Sequence, residues 1–365
     1  MTHSPDGGAR LRIATLYRLE PLDQIPEDRA AVLWWKRISF GLAERGHRVD
    51  IVSGTSAPER DLAPRLRNIP CTAAWWLDYD AILTFFHRGF DSLADFGGAD
   101  HPAIICNLGS VVGARDETPG VYFFGQHRQW LYSVQQQMAR RAFAVNILTE
   151  PSRALFLLEH RSAARIVSIP QGVDRTIPAP RCSPFGEFRE KVVVLIGSIY
   201  GDLQKEMNRV WQDRLNSVGR ELRRAGMRLC WIGPGDRERL DTSAVTALGP
   251  VEHDLAWNFQ YHAAAGLVLA QGAVQHNEST KLYNYLRGGL PVVSETPVPN
   301  NNILEEAQLG FIVPFGDDRA LADALAEASG RQWNRRAAME YMVAAHSWDR
   351  RVHACEKLCL DAIGC

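Results

Sequence analysis

Apolar residues in this chain come in short bursts separated by longer amphipathic stretches. The first burst, Leu11 to Tyr17, predicts a strand. A loop over 18–29 follows, with Pro21, Pro26 and four acidic residues. Val32, Trp35, Ile38, Phe40, Leu42 and Ala43 then recur at spacings that place them on one side of a helix over 30–45. Gly46 is suited to the left-handed turn that ends such a helix, and 47–53 reads as the next strand. Strand, helix, glycine and strand make the βαβ signature of a parallel sheet.

The alternation continues with strands at 81–86, 103–106, 144–148 and 166–169 and helices at 130–142 and 152–160. Residues 170–191 hold four prolines and little periodicity, which marks a linker. Beyond it come strands at 192–196, 228–232, 245–249, 265–269 and 290–294, and helices at 207–225 and 280–288. The fold class is therefore α/β with two Rossmann-like domains. The first covers 1–172, a hinge covers 173–190, the second domain covers 191–345, and a helix in 346–365 is expected to cross back to the first domain. Ligands of such sheets sit beyond the carboxyl ends of the strands, here at a cleft between the two halves.

Length agrees with two domains, because 365 residues exceed the ~250–300 at which one core stops growing. The 41 basic and 42 acidic side chains leave a formal net charge of −1, which excludes a nucleic-acid binder driven by bulk charge. No apolar run approaches the ~18 residues that span a bilayer, and the N-terminal stretch has no apolar signal core. Seven cysteines, an odd number without a C-x-x-C pair, suggest neither a zinc site nor a disulfide framework and point to reducing cytoplasm. Asp78-Tyr-Asp80 spells D-x-D, but it directly precedes the strand at 81–86 and is read as a strand lead-in rather than a metal site.

Three stretches carry a resemblance. Leu42-Ala-Glu-Arg-Gly-His-Arg-Val-Asp-Ile-Val52, Ile166-Val-Ser-Ile-Pro-Gln-Gly-Val-Asp174 and Glu278-Ser-Thr-Lys-Leu-Tyr-Asn-Tyr-Leu-Arg-Gly-Gly-Leu-Pro-Val-Val293 resemble, in order and spacing, segments of the two-domain GT-B glycosyltransferases of the family 4 or group 1 type. Gly249-Pro-Val-Glu-His253, Gly310 to Asp317 and Ser347-Trp-Asp-Arg-Arg351 are weaker pieces of the same series. The C-terminal half, around Tyr261 to Gly266 and Lys281 to Tyr285, also looks like the xanthan-type glucuronosyltransferases.

The resemblance implies transfer of one sugar from a nucleotide-diphosphate sugar, UDP-linked, to a hydroxyl of a glycan, lipid-linked or small-molecule acceptor. It implies no required metal or other cofactor and no nucleic-acid partner. It leaves open a peripheral contact with the inner face of the membrane. Lys281, one of only five lysines beside 36 arginines, would meet the diphosphate at a helix start, where free N–H groups already favour an anion. Glu278, Ser279 and Thr280 precede that helix and would line the same place, or Ser279 and Thr280 would simply cap it. Asn284 stands where the family has a ribose-binding Glu, and His276 stands where a second Glu is usual. Gly197 and Gly233 would let the backbone approach the nucleotide, or would simply turn strand into helix; Tyr200 is expected at the same nucleotide site, and Glu252 near the base or as an ordinary surface residue. Asp116 and His127 are candidates for the base that takes the acceptor proton. The two missing Glu residues keep other readings in view: a hydrolysing nucleotide-sugar epimerase of the same fold, or a non-catalytic nucleotide-sugar-binding protein.

Overall fold

The structure, a computed structural model, describes residues 2–3, 9–21, 30–114, 125–186, 188–198, 205–272 and 274–364. The chain divides into two compact units, one of Met1–Gly172 with Ser347–Cys365 and one of Val173–His346.

In the first unit the short strands Thr2–His3 (β1) and Ala9–Arg10 (β2) pair antiparallel. The main sheet contains Arg12–Leu16 (β3), Arg48–Ser53 (β4), Arg60–Ala63 (β5), Leu66–Pro70 (β6), Ala81–Phe85 (β7), Ile104–Leu108 (β8), Ala144–Ile147 (β9) and Arg165–Val167 (β10). Its order is β10-β9-β8-β7-β3-β4-β6-β5, and every neighbouring pair is parallel except β5 with β6. Helices Ala30–Glu44 (α1), Phe86–Asp95 (α2), Gly125–Arg141 (α3) and Glu150–Glu159 (α4) connect the strands.

Strand residues alternate between two buried faces, as a parallel sheet covered on both sides requires. Ile13, Val49, Ile51, Leu83 and Ile105 pack on one side with Trp34, Trp35 and Ile38 of α1. Ala14, Leu16, Val52, Ile82 and Ile104 pack on the other with Val134 and Met138 of α3. The first side is completed by the last helix of the chain, Trp348–Ala362 (α11), through Trp348, Val352, Cys355 and Leu358. His47 fastens that helix. Its Nδ1 accepts from the Leu11 amide at 3.2 Å, so Nε2 carries the proton and donates to Glu356 at 2.8 Å.

The second unit is one parallel sheet of Lys191–Ile196 (β11), Met227–Ile232 (β12), Val245–Gly249 (β13), Ala265–Val268 (β14), Val292–Glu295 (β15) and Gly310–Val313 (β16), in the order β13-β12-β11-β14-β15-β16. Lys205–Arg224 (α5) and Asp318–Gly330 (α9) cover one face. His253–His262 (α6), Thr280–Arg287 (α7), Asn302–Ala307 (α8) and Arg335–His346 (α10) belong to this unit as well, and α6, α7, α8 and α10 contribute to the core on the other face.

Residues 173–190, expected as a hinge between domains, belong to the second unit. Val173 and Phe185 are buried in its core. Asn258 of α6 accepts from the Arg181 amide at 2.8 Å and donates to the Cys182 carbonyl at 2.9 Å, while Tyr261 donates to the Pro178 carbonyl at 2.8 Å. A proline-rich stretch cannot pair with a sheet, so side chains of a neighbouring helix satisfy its backbone instead.

Candidate active site

In the second sheet, β11 is flanked by β12 on one side and β14 on the other, so the strand order reverses there. A crevice opens beyond the carboxyl ends of strands at such a point. A cavity of about 150 Å³ lies there, lined by Leu195 of β11 and Ser198 just beyond it, by Leu269 and Gln271 just beyond β14, and by Thr280 and Lys281 of α7. Trp211 of α5, Gln275, Glu278 and Ser279 complete it.

Several local features hold this end open. Tyr285, buried in α7, accepts from the Ile196 amide at 2.7 Å and satisfies the end of β11 from the helix side. The chain then turns through Gly197 at φ 143°, a conformation glycine permits. A Cβ at this position would lie 2.9 Å from Cε and 3.1 Å from Nζ of Lys281. Gly197 is thus the space into which the Lys281 ammonium fits. Gly233, after β12, packs against Gly197 so closely that a Cβ there would run into the Gly197 carbonyl oxygen.

The opposite wall is braced by a buried carboxylate. Glu295, with no exposed surface, accepts from the Ala270 amide at 2.9 Å and the Gly316 amide at 3.3 Å and pairs with Arg214. Gln275 does the same for the following loop, accepting from the Gln271 amide at 2.9 Å and donating to the Asn277 carbonyl at 2.7 Å.

Ser279 occupies the N-cap position of α7, but its side chain makes no capping hydrogen bond. Its backbone is held instead by Asn300, which accepts from the Ser279 amide at 2.8 Å and donates to its carbonyl at 3.0 Å. The Leu282 amide is taken by the Ser279 carbonyl at 3.3 Å, while among the described residues the Thr280 and Lys281 amides at the start of α7 remain available to an outside acceptor. Among the described residues Lys281 forms no ion pair or hydrogen bond, and desolvation pulls its pKa below that of an ordinary lysine. A cation held beside open amides without a counter-ion makes a site for an anion. Glu278, on the rim, is engaged by Tyr283, whose hydroxyl donates to it at 2.9 Å.

The remaining expected residues fall elsewhere. Asn284 is exposed on α7 and does not line the cavity. Its carbonyl accepts from Gln260 at 2.8 Å. Glu252 is exposed at the N-cap of α6, also away from the cavity lining. His127 is exposed in the first turn of α3 in the first unit, stacked on Trp130 at 5.4 Å. Asp116 and Tyr200 lie outside the described residues. Trp211, Gln271 and Gln275 were not anticipated. The last two follow the strand at 265–269, where the switch-point rule would have directed attention. Trp211 reaches the cavity only through the packing of α5.

The D-x-D pair is occupied structurally. Asp80 accepts from the Arg12 amide at 2.7 Å and Asp78 from the Arg12 guanidinium at 3.0 Å. Among the described residues no group of three His, Cys, Asp or Glu side chains is placed to hold a metal ion, and no helix is long and apolar enough to cross a membrane.

No protein-family model and no curated protein matches the chain. Solved structures do. Sucrose-phosphate synthase from Thermosynechococcus elongatus superposes with a TM-score of 0.71 at 14% identity, covering 97% of this chain and 100% of that one. Anabaena HepE, solved in complex with UDP-glucose, gives 0.64 at 12% identity over 95% of this chain and 99% of that one. AviGT4, a glycosyltransferase involved in avilamycin A biosynthesis, gives 0.58 at 17% identity over 97% and 98%. The fold is GT-B. Within that fold the cavity occupies the switch point of the C-terminal Rossmann-like unit, and α11 is the C-terminal helix that belongs to the N-terminal unit.

Proposed function

We propose that the chain is a glycosyltransferase that takes a sugar from a UDP-linked donor held in the second unit and passes it to an acceptor hydroxyl. The observation that carries this reading is Lys281: a desolvated ammonium with no counter-ion among the described residues, seated over Gly197 at the switch point. That the GT-B structure of HepE is solved with UDP-glucose supports a UDP-linked donor. The 150 Å³ cavity is smaller than pockets that enclose a whole ligand, and it accounts for the diphosphate part of the donor.

In this mechanism the diphosphate oxygens accept from the Thr280 and Lys281 amides at the start of α7 and from the Lys281 ammonium. As the bond between the anomeric carbon and the β-phosphate oxygen breaks, negative charge grows on that oxygen. Lys281 therefore stabilises the transition state more than the bound donor. The acceptor oxygen forms the new bond to the anomeric carbon and loses its proton to a base, the role that Asp116 or His127 is proposed to fill. UDP leaves. Lys281 supplies the charge compensation that a divalent cation would otherwise give, so we expect chelation by EDTA to leave turnover unchanged.

UDP release from a panel of nucleotide sugars, measured with and without glycan, lipid-linked and small-molecule acceptors, tests the reading. Release that depends on an acceptor, with a new glycoside formed, is the expected outcome. Release without acceptor accompanied by an epimerised sugar would assign a hydrolysing epimerase. Tight nucleotide binding without any release would assign a non-catalytic binding protein.

A further inference from the structure

The first unit carries a second concave site that the proposed reaction does not use. A groove of about 510 Å³ runs along the starting edge of its parallel strands, the end away from the strand carboxyl termini. That volume lies within the ~300–1,000 Å³ usual for ligand sites. Arg10, Arg12, Arg48, Arg65 and Arg67 line it, against Asp61 and Asp80.

The strand register explains how the arginines come together. Ile13 is level with Ala81, Arg12 with Arg48, and Val49 with Leu66. One step along, Asp80, Arg12, Arg48 and Arg65 form a single row across four adjacent strands. Like charges level on neighbouring strands repel unless something neutralises them. Arg12 and Arg67 are neutralised internally: both bond the fully buried Asp50, at 3.3 and 3.0 Å, and Arg12 also pairs with Asp78 and Arg67 with Glu59.

Among the described residues the other three have no carboxylate partner. There Arg65 donates only to a carbonyl, that of Gly46, at 3.0 Å. Arg48 is exposed and has no ion pair among the described residues. The Nε of Arg10 is buried with no hydrogen-bond partner among the described residues.

Backbone geometry adds an independent sign. Arg65 sits in the turn between β5 and β6 at φ 66°, the left-handed region that favours glycine. The chain thus holds a guanidinium over the groove at a position where glycine would cost less. Non-glycine residues in such conformations cluster at binding sites, where the strain is offset by what the side chain does.

We propose that this groove binds a phosphate-bearing anion, separately from the donor site. Arg48, Arg65 and Arg10 supply the binding charge, while Arg12 and Arg67, locked on Asp50, shape the floor. A guanidinium suits phosphate because its planar fork offers two parallel donors. The phosphate group belongs either to a soluble ligand or to a lipid head group, and the two sources are separated by the probe.

The test uses a Lys281→Ala background, so that the donor site is silenced. Calorimetric titration with inorganic pyrophosphate reports a soluble ligand, and co-sedimentation with phosphatidic acid and phosphatidylcholine vesicles reports a lipid. Adding Arg48→Ser and Arg65→Gly should weaken binding of whichever probe is taken by at least about tenfold. Arg65→Gly removes the guanidinium and relieves the left-handed backbone, so it should melt no lower than its parent. That single variant must by itself lower affinity several-fold. Neither probe binding to the Lys281→Ala protein, or equal binding with and without the arginines, would overturn the proposal. Because Lys281 is absent throughout, failure here leaves the donor-site reading untouched.

Discussion

The two units place the same topological feature in opposite chemical surroundings. In each, one central strand has its neighbours on either side reached by chain running in different directions: β3 between β4 and β7, and β11 between β12 and β14. At the carboxyl end of the first, aromatic rings gather among the described residues. Tyr17 packs on Trp35 at 5.7 Å and on Phe86 at 5.0 Å, and Trp34 packs on Phe86 at 5.6 Å. Phe86 adopts φ 56° to bring its ring inward, where it lies against Gly109. His87, next in the chain, is buried, and desolvation lowers its pKa to about 3. At the carboxyl end of the second, the corresponding residues are Gly197 and Ser198, with Lys281 against them. Topology supplies a crevice in both units, but the side chains decide whether charge can enter it. One end holds a titratable group neutral, and the other holds a cation without a counter-ion among the described residues.

The largest effect should come from removing that cation. Lys281→Met is expected to lower kcat/KM for transfer about 10³-fold, in steady-state kinetics, as loss of a group that meets charge developing in the transition state. Its melting temperature should stay level or rise, because a desolvated ammonium is costly. The sign with pH follows from the lowered pKa. The cost of the charge is fully present below the folded-state pKa and fades as pH rises towards the ordinary lysine value, whereas donor binding weakens over that same rise. A Lys281→Met protein with undiminished kcat/KM would erase the contrast between the two ends.

His87 sharpens the other side of the comparison. Its folded pKa lies below the usual 6.5, so the unfolded chain binds its proton first. Stability from keeping it neutral is present above about pH 6.5 and is lost as pH falls towards 3. Down to pH 4 this single group should cost roughly 3 kcal/mol. Urea denaturation across pH 4–7 would show the loss in wild type and a flatter profile in His87→Phe. Equal slopes would mean that His87 is not held neutral.

Gly197→Ala tests whether the backbone makes room for the cation. The new methyl would meet Lys281 in a left-handed backbone, so destabilisation of about 1–3 kcal/mol is expected. UDP affinity measured by calorimetry should drop roughly tenfold, a loss of about 1.4 kcal/mol. The smallest change is expected for Asn284→Ala, since Asn284 is exposed and off the cavity lining. Its donor KM should move less than about twofold, within the ~0.5 kcal/mol typical of surface substitutions. A large rise would return Asn284 to the ribose contact that the resemblance implied.

Much of the alternation was legible in the pattern because buried parallel strands read as apolar runs. Lys191–Ile196 and Ala265–Val268 are examples, with Gly46 marking the end of α1. The hairpin of β5 and β6 was not, since Arg60, Asp61, Arg65 and Arg67 give no apolar alternation; it is held by the bonds of Arg67 to buried Asp50. Helix α2 was missed because it starts at Phe86 without a side-chain cap and runs only ten residues. In the site, Lys281, Glu278, Ser279, Thr280 and Gly197 were legible because they lie in a contiguous motif or at a strand end. The cavity draws Trp211 and Gln275 from distant segments, and only tertiary packing brings those together.

Calorimetric titration of UDP into wild type and Lys281→Met decides whether Lys281 holds the diphosphate, and it needs neither the sugar nor the acceptor. UDP is expected to bind the wild type, and the variant, folded and melting no lower, is expected to lose at least about tenfold in affinity, ~1.4 kcal/mol. Equal affinity in the two proteins would contradict that role and move any nucleotide site away from the switch point of the second unit.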